Sequence, residues 1–453
     1  MARKRGINRR EFLRRSTYGG AIASMGLSSK TFSFSNIKKA MAPNDKITVG
    51  MIGVGSRAHQ LIEAIKQVEG TEIVAVCDAY KGRLERAVER TNGRAAICSD
   101  YKEILAKPDI DVVVIATPDH WHKVMVIDAL ESGKDVYVEK PMTYTVEEGV
   151  EIIKAVKGTG RILQVGSQGM SSKIQGKARE MIQSGKLGDV TMIRASYNRN
   201  TASGAWIYPI PPDASAKTVN WNMFLGPAPK RPLSLERFFR WRSYWEYSGG
   251  IATDLFVHLC TTIHFVMGAK MPSMAVGAGQ LYRWKESRNV PDSINGIMEY
   301  PEGFVVSLSS TFNNQMSGGA GFQILGTEGS IQIGGNSLVF NAEHPVENND
   351  WIVSGWPKKL EEDYYKDPKV RELEILLSRK SNVYPVTEAH SEEGPDATVL
   401  HFQNFFDCVR TRKQPLEDAS AGHHAASCAH LINISTRERR FVYWDFDRDS
   451  IKS

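Results

Sequence analysis

The sequence predicts an α/β protein in which an N-terminal doubly wound parallel sheet is followed by a C-terminal α/β domain with an open, mainly antiparallel sheet. Three observations predict this: apolar runs at βαβ intervals, a glycine-rich turn directly after the first run, and alternating apolar and polar residues further along the chain. We expect the two domains at residues 43–168 and 169–453, after a leader and linker at 1–42. With 453 residues and 42% hydrophobic content, the chain can bury cores of this size.

The N-terminal domain is predicted from five apolar runs. Each run is continuous rather than alternating, so both faces of each strand should be buried, as in a parallel sheet flanked by helices. The segments between the runs contain helix formers and carry a glycine near their ends. The five runs are residues 47–55, 72–78, 111–117, 135–141 and 161–168.

The C-terminal domain has a different pattern. The runs at 190–200, 296–312 and 330–340 alternate and turn at Gly, Pro or Asn, which predicts antiparallel strands. Residues 340–395 are polar and weakly periodic, and we expect them to form surface excursions. Residues 396–440 return to helical periodicity, and these helices are expected to pack back toward the N-terminal domain.

The net charge of +6 is concentrated at the start of the chain. Residues 1–40 contain ten Lys or Arg and one acid, so the remainder carries a net charge of −3. This balance does not indicate a surface that follows nucleic-acid phosphates, and no nucleic-acid partner is expected.

The leader contains the pair Arg9-Arg10, followed by Phe12 and Leu13 and by a short segment rich in Gly, Ala and Ser. It resembles a twin-arginine export signal, which predicts the twin-arginine machinery as a partner and a periplasmic location. A basic amphipathic or disordered tail is the alternative. Ala40-Met41-Ala42 is only a weak candidate for signal processing.

The five cysteines predict neither a disulfide framework nor a metal site. They are scattered, they form no CxxC pair, and most lie in apolar runs where a thiol behaves as a small hydrophobe. A protein that folds in a reducing compartment before export needs no disulfides. No apolar run approaches the ~18 residues of a membrane-spanning helix. The cysteines are Cys77, Cys98, Cys260, Cys408 and Cys428.

A G-x-G-x-x-A turn, residues 53–58, follows the first predicted strand and opens a helix. Such a turn brings the backbone and the helix N-terminus close to a pyrophosphate. Asp78 ends the second strand, where a carboxylate binds an adenosine ribose and repels a 2′-phosphate. This favours NAD over NADP, although Arg83 leaves NADP as the alternative. The predicted cofactor contacts here are Gly53, Gly55, Ser56, Arg57 and Asp78.

The stretch ATPDHWH, residues 116–122, ends the third predicted strand at the edge of the sheet where ligands bind. Thr117 and Pro118 are expected beside the nicotinamide, and His120 and His122 are expected to line the crevice. Trp121 in the same stretch either lines the crevice or caps the domain interface.

The fourth strand ends in Glu139-Lys140-Pro141. An amine at the carboxyl end of a parallel strand reaches the crevice beside the cofactor, where it can move a proton. Glu139 can hold that amine, and both Glu139 and Lys140 are predicted cofactor contacts. Pro141, for which a cis peptide is one option, can fix the turn that aims the amine. A surface ion pair of Glu139 with Lys140 is the alternative.

The residues GVGSRA, Asp78, ATPDHWH and VEKPMT together resemble the Gfo/Idh/MocA oxidoreductases. The resemblance implies a Rossmann domain joined to an open-sheet α/β domain, from about residue 45 to the C-terminus. It also implies that Lys140 contacts substrate and cofactor and relays the proton of the alcohol being oxidised. The open sheet of this family usually packs against a second subunit, so a homo-oligomer is expected.

Gly249-Gly250 precede a predicted helix on which Asp254 and His258 stand at i and i+4, on one face. This segment resembles the family's G-G-x-x-x-D-x-x-x-H-x-x-D, which implies that His258 lies at the reacting carbon and that Asp254 belongs to the catalytic group. Thr261 replaces the final aspartate, so His258 lacks an orienting carboxylate unless Asp254 supplies it. Two ligands are too few for zinc, and no metal is expected.

The segment from Arg240 to Trp245 combines planar cations with aromatic faces, a mixture suited to sugar rings and their hydroxyls. A strand that ends near Tyr197 is expected to face the same cavity, while interdomain packing is the alternative for each residue. The predicted substrate contacts are Tyr197, Arg199, Arg240, Arg242, Tyr244 and His258.

These features predict an exported NAD-dependent oxidoreductase that transfers hydride between tightly bound NAD(H) and a sugar, glycoside or polyol. Free NAD is scarce outside the cytoplasm, so the cofactor should be loaded before export and recycled in place. An NAD-dependent glycoside hydrolase that uses transient oxidation and elimination is the alternative. A non-catalytic sugar sensor is a third hypothesis, because one fold hosts many functions.

Overall fold

The structure is a computed structural model that describes residues 46–316, 321–343, 349–370 and 387–452. The predicted export signal lies outside the described residues. The described residues from 46 onward belong to one compact unit that contains both predicted sheets.

The N-terminal sheet has six parallel strands in the order β3-β2-β1-β4-β5-β6. All five strands expected from the apolar runs are present, so the predicted fold of this region is confirmed. The sequence did not predict β3, because it has only two residues and both are exposed. The strands are β1 Ile47–Ile52, β2 Thr71–Cys77, β3 Ala96–Ile97, β4 Val112–Ile115, β5 Asp135–Glu139 and β6 Leu163–Gly166.

The described residues contain thirteen α-helices, several of them very short. They are α1 Ser56–Ile65, α2 Lys81–Arg90, α3 Tyr101–Ala106, α4 His122–Glu131, α5 Val146–Thr159, α6 Lys173–Gln183, α7 Trp221–Leu225, α8 Leu235–Phe239, α9 Val257–Met267, α10 Asp350–Val353, α11 Lys358–Tyr364, α12 Ala397–Thr411 and α13 Ala419–Glu438.

Helices cover both faces of the parallel sheet, which explains the continuous apolar runs. On one face, α1 and α12 pack against β1 and β4, and Phe402 of α12 stacks on Tyr137 with 4.4 Å between ring centroids. On the other face, α3, α4 and α5 build a second core. A helix from near the C-terminus thus completes the N-terminal domain.

The second sheet has ten strands in the order β14-β13-β12-β11-β7-β10-β9-β8-β15-β16. Among the described residues, β7 and β10 pair in parallel and the other neighbours pair antiparallel. The predicted open, mainly antiparallel sheet is confirmed. Its strands are β7 Val190–Ser196, β8 Met274–Gln280, β9 Ser293–Glu299, β10 Val305–Thr311, β11 Phe322–Gly326, β12 Gly329–Ile333, β13 Ser337–Ala342, β14 Glu388–Ser391, β15 Val442–Asp445 and β16 Ser450–Ile451.

One face of this sheet packs against α6, α9 and α13 in the largest core. On the opposite face, Ile297 of β9 and Val305 of β10 are 48% and 39% exposed. The expectation that residues 340–395 form only surface excursions is wrong in part, because β14 from this segment pairs with β13. Four residues of mostly exposed, polar strand give too weak a pattern to recognise in sequence.

All five cysteines are buried and unpaired in the structure. Across the described ranges, no helix combines the length and apolar character required to cross a membrane.

Candidate active site

A cavity of about 490 Å³ lies at the carboxyl edge of the parallel sheet and reaches under the C-terminal domain. The residues that follow β1, β2, β4 and β5 form one wall, as expected for a doubly wound sheet. The opposite wall comes from the C-terminal domain. The predicted residues on the cavity are Gly53, Gly55, Ser56, Arg57, Asp78, Thr117, Pro118, Glu139, Lys140, Arg199, Arg242, Asp254 and His258.

The glycine-rich turn has the conformation that a close backbone approach requires. Gly53 has φ of +79°, and a Cβ there would lie 2.8 Å from the backbone of Ala116. Asp78 fixes the turn, because its Oδ2 accepts a hydrogen bond from the Val54 amide at 2.8 Å. Gly55 is the N-cap of α1 and has no side-chain cap, which leaves the helix N-terminus facing the cavity.

The turn and the residues around it fit a dinucleotide. The hydroxyl Oγ1 of Thr117 is buried and has no hydrogen-bond partner, so it is available to a ligand on the cavity wall. The distance from Arg83 Nη1 to the carboxylate Oδ1 of Asp78 is 3.7 Å. The side chain of Arg57 is held by the end of β5, because its Nε donates a hydrogen bond to Glu139 Oε1 at 3.1 Å.

Lys140 lies at the centre of an ion-pair network that joins the two domains. Its Nζ donates to the main-chain oxygen of Asp254 at 2.8 Å and to the carboxylate Oδ1 at 3.0 Å. Arg242 Nε donates to the same Oδ1 at 3.0 Å. Burial raises the pKa of Asp254, but the charges of Lys140 and Arg242 outweigh it and hold that pKa well below its usual range. Asp254 is therefore a carboxylate that positions two cations.

Asp254, which accepts hydrogen bonds from Lys140 through both its main-chain oxygen and its carboxylate, lies in an irregular turn of the helix. Residues Ala252–Phe256 form a π-helical turn directly before α9. A π-turn changes the regular i to i+4 hydrogen bonding and is often found at functional sites. The peptide bond Lys140–Pro141 is cis. Lys140 pairs with Asp254 of the opposite domain, and Glu139 pairs with Arg57. The expectation that Glu139 holds the amine and the alternative of a surface ion pair between Glu139 and Lys140 are therefore both wrong.

His258 lies on the same cavity, one turn further along this helix. Burial lowers the pKa of His258 to about 3, and the positive charge of Lys140 lowers it further than the charge of Asp254 raises it. The imidazole is therefore neutral at ordinary pH and can accept a hydrogen bond. The hydroxyl of Thr261 donates to the main-chain oxygen of Val257 at 2.9 Å. Thr261 therefore does not substitute for an orienting carboxylate.

Asp119 is a cavity residue that the sequence did not identify. It stands inside the ATPDHWH stretch, but the histidines drew attention because their chemistry is more specific. Burial raises the pKa of Asp119 to about 7, although the charges of Arg242 and Lys140 oppose the rise. Its carboxyl can therefore change charge near neutral pH beside the Lys140 network.

His120 and His122 occupy different places from the predicted ones. His122 is fully buried, and its Nδ1 and Nε2 lie 2.7 Å and 3.0 Å from the main-chain oxygens of Pro141 and Thr117. His120 Nε2 donates to the main-chain oxygen of Phe224 at 3.0 Å. Each side chain contacts main-chain oxygens behind the cavity wall, while the Nδ1 of His120 is buried without a hydrogen-bond partner.

Three of the predicted substrate contacts also lie off the cavity wall. Tyr197 packs against the core of the second sheet. Arg240 donates to the main-chain oxygen of Tyr208 at 3.0 Å and pairs with Glu236. Tyr244 is 6% exposed under the guanidinium of Arg237. These residues are close in sequence to residues of the site, but the sequence did not show that their side chains pack inside the protein and do not line the cavity. Further residues that the structure adds to the wall are Gln168, Trp206, Tyr208, Met223, Phe238 and Phe239.

The sequence predicts that Asp254 and His258 do not bind a metal ion. In the described part of the chain, no group of three His, Cys, Asp or Glu side chains is arranged to hold a metal ion.

Comparison with known proteins decides the family. A model described as the oxidoreductase family with an NAD-binding Rossmann fold (GFO_IDH_MocA) matches residues 47–167, and the model for its C-terminal α/β domain matches residues 179–443. The chain belongs to the Gfo/Idh/MocA oxidoreductase family. The glycine-rich turn and Asp78 therefore lie in the family's NAD-binding domain.

Two curated relatives show what the chain is similar to. An α-N-acetylgalactosaminidase of Shewanella oneidensis is 31% identical over 210 residues, which is 42% of this chain and 46% of that protein. The chain thus spans about half the length of the Shewanella relatives. The scyllo-inositol 2-dehydrogenase (NAD+) of Bacillus subtilis is 25% identical over 374 residues, 82% of this chain and 88% of that protein.

Solved structures of Gfo/Idh/MocA fold share the architecture. A levoglucosan dehydrogenase in complex with NADH and levoglucosan has a TM-score of 0.64 at 20% identity, covering 88% of this chain and 99% of that chain. The WlbA dehydrogenase of Bordetella pertussis, in complex with NADH and UDP-GlcNAcA, has a TM-score of 0.63 at 20% identity, covering 89% and 99%. These likenesses establish the fold.

Proposed function

We propose that this protein is an NAD-dependent oxidoreductase that acts on a hydroxyl or carbonyl group of a sugar, glycoside or polyol. One observation carries the proposal: Lys140, Asp254 and His258 face the cavity that begins at the glycine-rich turn. An amine, a carboxylate and a neutral imidazole at the end of a nucleotide cavity suit proton transfer coupled to hydride transfer.

NAD+, when bound, supplies the acceptor for a hydride at C4 of its nicotinamide ring. Residues of the chain perform the remaining work. A lysine ammonium has three N–H donors, and Lys140 uses two of them on Asp254. The third can be directed at a substrate oxygen: in reduction the ammonium donates this proton to the carbonyl oxygen, and in oxidation the neutral amine accepts the proton of the hydroxyl. His258 is neutral and supplies a hydrogen-bond acceptor on the same wall.

The other residues of the wall suit a polyhydroxylated ligand. Arg199 and Arg242 provide cationic donors, and Trp241 provides an aromatic face on which a sugar ring can stack. The guanidinium carbon of Arg242 lies 4.2 Å from the ring centre of Trp241, so these two side chains support each other.

The experiment is a substrate survey with the purified full-length chain. Sugars, inositols, anhydrosugars and methyl glycosides are offered with NAD+, and NADH absorbance is followed. We expect at least one of them to be oxidised, and Lys140→Met to reduce that rate by at least ~100-fold. A chain that oxidises no member, or a variant as fast as the parent, would contradict the proposal.

A glycoside hydrolase is the second candidate function, because the Shewanella relatives are described as glycosyl hydrolase family 109 proteins. Transient oxidation of a sugar carbon acidifies the neighbouring C–H, so His258 or Lys140 could remove that proton and a leaving group could depart. Nitrophenyl glycosides distinguish the two: a hydrolase releases nitrophenol without net NADH, whereas a dehydrogenase accumulates NADH with the glycoside intact.

Export and assembly are further parts of the proposal. The Arg9-Arg10 leader supports delivery to the periplasm by the twin-arginine machinery, and Arg9→Lys with Arg10→Lys should trap the protein in the cytoplasmic fraction. The exposed apolar residues Ile297 and Val305 support a homo-oligomer formed through the open sheet face. Light scattering of the parent and of Ile297→Lys tests that interface, and an unchanged mass for both would count against it.

A further inference from the structure

The segment of residues 206–247, here called the cap, leaves the second sheet after β7 and lies across the nucleotide cavity. Four apolar residues of the cap line the same cavity as Asp78 and Arg83. They are Met223, Phe224, Phe238 and Phe239. The cavity is therefore enclosed by a segment that does not belong to the Rossmann domain.

The first anchor of the cap is at the carboxyl end of β2. Tyr80 forms an isolated antiparallel β-bridge with Val219, and the Asn220 amide donates to the main-chain oxygen of Ala79 at 2.7 Å. The phenol of Tyr80 donates to Asp213 Oδ1 at 2.5 Å. Burial raises the pKa of Tyr80 to about 12, so the phenol keeps the proton that this bond needs.

The second anchor is at the carboxyl end of β4. Trp121 Nε1 and His120 Nε2 both donate to the main-chain oxygen of Phe224, at 2.9 Å and 3.0 Å. The indole of Trp121 packs so tightly on the cap that a Cβ at Gly226 would lie 2.0 Å from a ring carbon. The two anchors lie on either side of the topological switch point between β1 and β4.

Between the anchors, the cap has its own hydrophobic core, and that core includes Tyr80 of the Rossmann domain. The Tyr80 ring meets Phe239 edge to face, with 5.2 Å between centroids. Arg83 lies over Phe238 and Phe239, with its guanidinium carbon 5.2 Å and 5.3 Å from their ring centres. Moving the cap aside therefore requires withdrawing an aromatic side chain from a packed cluster, which is a local unfolding event.

We propose that the cap completes the site for the adenosine half of the dinucleotide and slows the release of the bound cofactor. The inference rests on the dinucleotide site of the proposed function but not on the identity of its substrate.

The test measures retention of nucleotide by the full-length protein. Purified protein is dialysed exhaustively, and bound nucleotide is released with acid and quantified. The dissociation rate of NADH is measured separately by fluorescence after excess NAD+ is added. The variants are Tyr80→Phe and Asp213→Asn, since neither residue lines the cavity, and Trp121→Phe at the second anchor.

Tyr365→Phe is the matched control, because the Tyr365 phenol donates to Asp350 Oδ1 at 2.6 Å outside the cap. We expect the parent and Tyr365→Phe to retain about one nucleotide per chain. Tyr80→Phe and Asp213→Asn should release NADH about tenfold faster, as expected when a hydrogen bond to a charged group is weakened. The double variant should release it no faster than either single variant, because both remove the same bond.

Two results would overturn the proposal: a parent protein that loses its nucleotide on dialysis, or cap variants that release NADH at the parent's rate. Thermal unfolding shows whether each variant folds. If Tyr80→Phe does not fold, Trp121→Phe tests the cap independently at the second anchor. Retention of nucleotide without oxidation of any sugar would support the cap and contradict the oxidoreductase proposal. The two ideas can therefore fail separately.

Discussion

The ion-pair network of Asp254 makes a quantitative prediction. Asp254→Asn keeps the size of the side chain but removes the charge that holds Lys140 Nζ and Arg242 Nε, each at 3.0 Å from Oδ1. A hydrogen bond to a charged group contributes about 1.5–3 kcal/mol, against about 0.5–1.5 kcal/mol for a neutral one. Two weakened bonds amount to roughly 2–3 kcal/mol, so kcat/KM should fall roughly 30- to 150-fold if the loss appears fully in the transition state.

The assay is the first-turnover rate at which the best substrate of the survey reduces the NAD+ bound to the protein, followed by NADH absorbance, together with urea unfolding of each variant. Asp363→Asn is the matched control, because Asp363 pairs with Lys366 at 2.9 Å on the surface of α11, where such pairs contribute little. A cycle with Lys140→Met separates the pair from its surroundings, and the two changes should be strongly non-additive. Asp254→Asn as active as Asp363→Asn, or an additive cycle, would refute the reasoning.

Three other predictions follow from the titrating and cofactor-facing groups. His258→Gln should lower turnover at least ~100-fold. The pH–rate profile of the variant should nevertheless run parallel to the parent's between about pH 5 and pH 8, because the pKa of His258 is about 3. A fall in the parent's rate below pH ~6.5 that is absent in the variant would contradict this. Glu417 is buried, and burial raises its pKa from 4.5 to about 8, so the folded state favours the protonated form and the free energy of unfolding should fall as pH rises through that window. Glu417→Gln cannot titrate, so urea titrations at several pH values should show the slope lost and the variant more stable by about 3–5 kcal/mol above pH 8; equal slopes would count against it. Asp78→Ala should reduce the preference for NAD over NADP by at least ~10-fold, because Arg83 remains beside a site that no longer repels a 2′-phosphate. Kinetics with both cofactors measure this preference. An unchanged ratio would show that Asp78 does not contact the ribose.

Much of the N-terminal domain was readable from the sequence because its signals are local. Continuous apolar runs report burial on both faces of a strand, and the turn at Gly53 needs a residue that accepts a positive φ. The strand ends then place Asp78, Thr117 and Lys140 at one edge of the sheet. Short or exposed elements such as β3 and β14 carry no such signal, and they were missed.

The direction of individual side chains was not readable in the same way. His120 and His122 stand in the predicted stretch but turn into backbone contacts, while Asp119 between the same strands faces the cavity. Residue type and position could not separate them, since the choice depends on which carbonyls and cations the folded neighbours bring near. The same holds for Arg242, which reaches the cavity, and Arg240, which does not.

The sequence by itself determined the two sheets, the nucleotide edge and the residue types available for proton transfer, because periodicity, turn chemistry and strand ends are properties of short segments. Only the tertiary structure decided that Lys140 is held by Asp254, that the histidine beside it is neutral, and that a cap from the other domain encloses the cavity. These depend on contacts between residues more than a hundred positions apart, and the free energy of such contacts exists only once both domains have folded.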